Sequence, residues 1–142
     1  MSLTAEDRFA IQDLYARYCH TVDALDGDGW ADCFTHDGVF VPSIGPIAGT
    51  EYRGREALAR LGGDPEREPP TRHWNNWLRL TERDDHIEGT CYAMAVEVGR
   101  EQPEIVAHVV YHDELVLQDG EWRFRARRPV ADVEKPAHSV GR

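Results

Sequence analysis

The sequence predicts an α+β fold in which helices from the first half cover a strongly bent, mainly antiparallel sheet from the second half. Three observations predict it. Apolar side chains recur at helical spacing from residue 5 to residue 24. Four long segments between residues 72 and 130 are patterned as strands. A Pro-, Gly- and charge-rich stretch, GGDPEREPPT at residues 62–71, divides the two regimes. Helices followed by a run of long strands is the α+β layout. A bent sheet wrapped by helices leaves a concave apolar pocket between the layers.

Thr4 is a plausible N-cap for the first helix, with Glu6 and Asp7 in the first turn, where the helix dipole favours acids. Ile11, Leu14, Tyr15, Tyr18 and Val22 then repeat on one face, which predicts a helix over 5–24 ending near the turn Asp26–Gly27–Asp28–Gly29. A short second helix is expected over 30–34, and THDGVFV then passes through a glycine into a strand. Residues 43–49 hold two Gly and one Pro and read as a loop. Tyr52 and Arg53 end a short strand, and Gly54 introduces a third helix over 55–61. Strands are expected over 72–82, 86–99, 104–117 and 121–130, the last two joined by Asp119–Gly120. In the final strand Trp122, Phe124 and Ala126 alternate with Arg123, Arg125 and Arg127. Residues 132–142 show no periodicity and read as a tail on a single domain spanning 1–131.

The formal charge of −10 argues against nucleic acid and anionic membranes as partners, because both are bound by basic surfaces. No run of about 18 apolar residues exists to span a bilayer. The opening MSLTAEDRFA lacks a basic region followed by an apolar one, so no secretory leader is expected. Cys19, Cys33 and Cys91 are odd in number and lack CxxC spacing, which fits reduced thiols in a cytoplasmic protein and no structural zinc. His108 and His112 stand four apart, but in a Val- and Tyr-rich strand that spacing is roughly 13 Å, too far to share an ion. His112 remains a candidate for lining the pocket. No phosphate-binding loop or nucleophile elbow is present, so no metal or cofactor is expected.

Four residues invite a chemical reading. Asp23 lies at the margin of the apolar stripe in the last helical turn, where the dipole disfavours a carboxylate. It either finds a partner or is a solvated residue leading into an acidic turn. His73 begins a strand, in TRHWNNW, and alternation groups it with Asn75 and Trp77, with Trp74 and Asn76 opposite. It is either an ordinary strand histidine or, beside a carboxylate, a general base. Tyr18 lies near the stripe's centre, either as a packed core phenol or as a donor to developing oxyanion charge. Arg128 shares its face with Trp122 and Phe124 if alternation runs unbroken, and an inward guanidinium needs a carboxylate or ligand. A bulge before Pro129 would turn it outward instead.

The run AIQDLYARYCHTVDALDGDGWADCFTHDGVF, then GREAL, TRHW and DGEWRF, resembles the SnoaL-like branch of the nuclear transport factor 2-like superfamily, from about Ala5 to Pro129. The resemblance implies a cone-shaped roll, in which a curved antiparallel (mixed) sheet and helices enclose an apolar cavity. Scytalone dehydratase, lindane dehydrochlorinase and the bile-acid dehydratase of this group use an Asp late in the first helix and a His at the start of a central strand. Asp23 in HTVD and His73 in TRHW match those positions, and Tyr18 matches the bile-acid dehydratase's catalytic Tyr. Where ketosteroid isomerase carries its base, this chain has Pro42 or Ser43, and the dehydrochlorinase's helix Lys is Tyr18.

The resemblance therefore implies a cofactor-independent lyase or isomerase with catalytic Asp23, His73 and Tyr18. The expected substrate is a small hydrophobic cyclic molecule, in a pocket lined by Tyr15, Trp30, Phe40, Trp74, Trp77, Met94, Tyr111, His112 and Arg128. A non-catalytic binding or assembly domain and a polyketide cyclase are the alternatives on the same fold. Exposed sheet faces and edges predict a homodimer or homotrimer.

Overall fold

The computed structural model describes residues 2–67 and 70–132. Of the expected tail, everything beyond Asp132 lies outside the described residues. Helix α1 spans Ala5–Asp23 and begins with a capping box, in which the Thr4 hydroxyl accepts from the Asp7 N–H and the Asp7 carboxylate accepts from the Thr4 N–H. It buries Ile11, Leu14, Tyr15, Tyr18 and Val22. The short helix α2 runs over Gly27–Ala31, earlier than expected, because the Asp26 carboxylate accepts from the Gly29 N–H and caps it there. Strand β1 (Phe34–Phe40), strand β2 (Tyr52–Arg53) and helix α3 (Arg55–Gly62) follow. Four long strands complete the chain: β3 (Thr71–Glu82), β4 (Ile87–Glu97), β5 (Glu104–Gln118) and β6 (Glu121–Ala131).

The strands form one curved, unclosed sheet in the order β2-β1-β6-β5-β4-β3. Among the described residues, only the β1–β6 pairing is parallel. Asp119 and Gly120 both adopt positive φ, 54° and 78°, as a two-residue β5–β6 hairpin turn demands. Helix α1 packs across the sheet against β3 and β6. The core between the layers includes an aromatic cluster of Tyr18, Trp30, Phe34, Tyr111 and Phe124.

Two slips in register decide which side chains face α1. On β6, Phe124 lies opposite Leu115 but Ala126 lies opposite Glu114, so Arg125 is an extra residue. The buried set therefore runs Trp122, Phe124 and Ala126 and then, one residue out of step, Arg127 and Pro129. Strict alternation puts Arg127 outside and Arg128 inside, and the bulge reverses both. On β3, Asn76 pairs with Tyr92 and Arg79 with Thr90, again one residue too many. Trp77 takes up the excess with φ at 59°, and Leu78 and Leu80 carry on the half-buried face of His73 and Asn75.

Candidate functional site

Asp23 is the last residue of α1, and β3 passes beside it. Its Oδ2 accepts from the backbone N–H of His73 at 3.0 Å, and its Oδ1 lies 2.5 Å from Nδ1 of the same residue. The two side chains are 10% and 21% exposed. One carboxylate thus holds both the backbone and the ring of His73. A carboxylate against Nδ1 favours the tautomer protonated there and leaves the Nε2 lone pair available as a base. The dipole problem at the helix end is met by Arg67, whose guanidinium donates to the Val22 carbonyl and exerts an attractive field on Asp23.

His73 stands where an inner cavity meets an outer groove. The cavity holds about 150 Å³ and is lined by Tyr18, Phe40, His73, Met94, Tyr111 and Pro129 among others. The groove runs between α1 and β3 and also exposes Asp23, Cys19 and His20. Tyr18 is 2% exposed, and burial pushes its phenol up to about 12, opposed in part by Arg127. It therefore remains protonated, a donor, across the neutral range.

Beneath Tyr18 lies a buried charge pair. Arg127 and Asp113 bond through two N–H···O contacts of 2.8 and 2.7 Å, and neither side chain reaches solvent. The Tyr15 hydroxyl donates to the same carboxylate. The guanidinium carbon lies 3.8 Å from the ring centre of Tyr111, 4.1 Å from Phe124, 4.3 Å from Tyr18 and 4.7 Å from Tyr15. Burial works against the charge on Arg127, but Asp113, with Tyr15 and Tyr18 adding to it, holds the group well above its ordinary value. Gly89 sits across from Asp113, and any side chain there would collide with the Tyr15 hydroxyl.

The residues expected to form the site are distributed unevenly. Asp23, His73 and Tyr18 converge on the inner cavity and its mouth. Phe40, Met94 and Tyr111 border the cavity, although pairing with Trp74 puts the Met94 side chain on the outer face. Trp30 packs into the core against Tyr18, Phe34 and Phe40. Tyr15 supports the charge pair and lines the outer groove. Trp74 and Trp77 are 62% and 72% exposed and stand at the rim of that groove, not inside the cavity, because β3 is an edge strand and its bulge turns Trp77 outward. His112 and Arg128 do not line the pocket: they pair with each other across β5 and β6 and both face outward. Sequence reasoning missed Asp113 and Arg127. Asp113 carried a usable signal, since Val109, Tyr111, Asp113 and Leu115 alternate on one apolar strand face.

The fold and the site define a class: a helix-covered curved sheet holding a small apolar cavity, with a carboxylate–imidazole pair at its mouth. The SnoaL-like domain model matches residues 3–128, and the chain belongs to that family. Comparison with curated proteins finds no match. Among solved structures, Rv3472 of Mycobacterium tuberculosis, a protein of unknown function, is 34% identical over 94% of this chain and 76% of its own, with a TM-score of 0.81. ActVI-ORFA of Streptomyces coelicolor is 26% identical over 88% of this chain and 96% of its own, with a TM-score of 0.77. A protein provisionally assigned as a scytalone dehydratase, from Novosphingobium aromaticivorans, shares the fold at 19% identity, covering 89% and 85% of the two chains with a TM-score of 0.73.

Proposed function

We propose that this chain is a cofactor-independent lyase or isomerase acting on a small hydrophobic cyclic carbonyl compound. The observation that carries the reading is the Asp23–His73 contact at the mouth of an apolar cavity that Tyr18 also lines. Membership of the SnoaL-like family and the fold shared with a provisional scytalone dehydratase support it.

In the reaction, Nε2 of His73 takes a proton from the carbon next to the carbonyl. The C–H electron pair becomes the enolate double bond, and the carbonyl oxygen takes up the negative charge. Asp23 stabilises the imidazolium. The Tyr18 hydroxyl donates a hydrogen bond toward the oxyanion. The enolate then collapses in one of two ways. In isomerisation of a β,γ-unsaturated ketone the intermediate is a dienolate, and His73 returns the proton to the γ-carbon, which restores the carbonyl and moves the C=C bond into conjugation with it. In dehydration, a β-hydroxyl departs as water with that proton.

The test uses 1-tetralone in D2O, following loss of the proton signals beside its carbonyl by NMR. The wild-type chain should accelerate exchange over buffer. His73→Ala and Asp23→Asn should each slow it by roughly 10²–10⁴-fold with far-UV circular dichroism unchanged. Exchange at the wild-type rate in either folded variant rules the pair out as the base.

A further inference from the structure

The cavity mechanism uses His73 but not the groove outside it, and that groove holds a buried polar group without a bonding partner among the described residues. Asn75 follows His73 by two residues on the same face of β3 and lines the groove with Gln12, Cys19, His20, Trp74 and Trp77. Both its side-chain atoms, Oδ1 and Nδ2, are shielded from solvent and bond to none of the described residues. A primary amide has two donors and two acceptor lone pairs, and burying them unpaired is costly. Native proteins keep such groups where something else supplies the bonds. The adjacent main chain is already committed: the Asn76 carbonyl accepts from the Cys91 thiol, and the Asn76 side chain accepts from the Trp77 N–H.

We propose that the groove between α1 and β3 is a second ligand subsite, in which Asn75 binds a hydroxyl or carbonyl group carried on the far side of the substrate's ring system. The inference rests on the reading above for which end of the ligand lies at His73. Residues two apart on a strand lie roughly 7 Å from each other. The ligand is therefore bipartite: an apolar carbonyl-bearing ring in the inner cavity, and a polar substituent about one ring's width away on Asn75. The amide both donates and accepts, so a hydroxyl satisfies it better than an ether or a halogen. The open groove leaves room for further substituents, flanked by the exposed indoles of Trp74 and Trp77.

The experiment compares 6-hydroxy-1-tetralone with 1-tetralone, reading Kd from tryptophan fluorescence and following the Asn75 side-chain amide by ¹⁵N NMR. The wild-type chain should bind the hydroxylated probe about tenfold more tightly, the effect of a hydrogen bond made in a desolvated site. Asn75→Leu should erase that preference while leaving 1-tetralone binding unchanged. The Asn75 amide resonance of the wild-type chain should move with 6-hydroxy-1-tetralone and not with 1-tetralone, a readout that needs no variant to fold. Equal affinity of the wild type for both probes overturns the subsite, and so does a preference that survives in Asn75→Leu. An unmoved amide resonance does the same, showing that Asn75 is satisfied structurally. His73→Ala should keep the preference while losing exchange. A hydroxyl preference without exchange in the wild type would sink the base and spare the subsite, and exchange without preference would do the reverse.

Discussion

Tyr18 shows how much one buried group can carry. Its phenol is raised by burial from an ordinary 10.0 to about 12. A folded-state value above the unfolded one means that Tyr18 contributes stability below pH 10, and that this contribution is lost as pH rises toward about 12. Tyr18→Phe removes the group from the titration, so alkaline unfolding followed by circular dichroism should move to higher pH in that variant. Asp23 and Tyr18 were legible in the sequence because a carboxylate at a helix end and a phenol on an apolar stripe both conflict with local preference. Arg127 was not. Nothing in EWRFRARRPV marks Arg125 as the extra residue, since the slip is fixed by how β6 meets Glu114 and Leu115 of β5, a partner not adjacent in its own pattern.

At the scale of elements, the close contact of β4 with α1 depends on a missing side chain. Gly89 allows the Tyr15 hydroxyl to reach Asp113 across the β4–β5 pair. Gly89→Ala should overpack this junction by about 1–3 kcal/mol. Differential scanning should show a melting temperature lower by roughly 3–10 °C. The four long strands were readable to within two residues because alternation and the Asp119–Gly120 turn are local signals, whereas β1 already begins at Phe34 and runs through the Gly38 that was expected to introduce it. Helix α2 was displaced in the reading because its start depends on the Asp26 side chain choosing the Gly29 N–H, a cap that competes with the stronger apolar signal of Trp30. Trp74 and Trp77 drew attention as apolar residues, but hydrophobicity does not reveal that their strand lies at the sheet's edge.

For the whole molecule, the Asp113–Arg127 pair joins β5 to β6 beneath the aromatic cluster, with Tyr15 tying α1 to the same point. Arg127→Met leaves Asp113 buried and uncompensated, and urea unfolding should show a loss of about 3–5 kcal/mol. Replacing both partners, Asp113→Leu with Arg127→Met, should recover much of that loss, because a buried pair is weak net stabilisation once neither charge is stranded. The overall architecture followed from the order of helices and strands. The buried pair did not, because it depends on a register that only the assembled sheet sets.

The bond from Asp23 to the His73 main chain has a bearing on solubility. Strand β3 ends the sheet, and the outward N–H of His73 would otherwise offer a pairing point to another extended chain. Asp23 occupies that donor and sets a negative charge beside it. Asp23→Asn retains an acceptor of the same shape there, whereas Asp23→Ala uncovers the edge. The alanine variant should therefore form larger particles by light scattering on concentration, a failure unrelated to lost catalysis and easily mistaken for it.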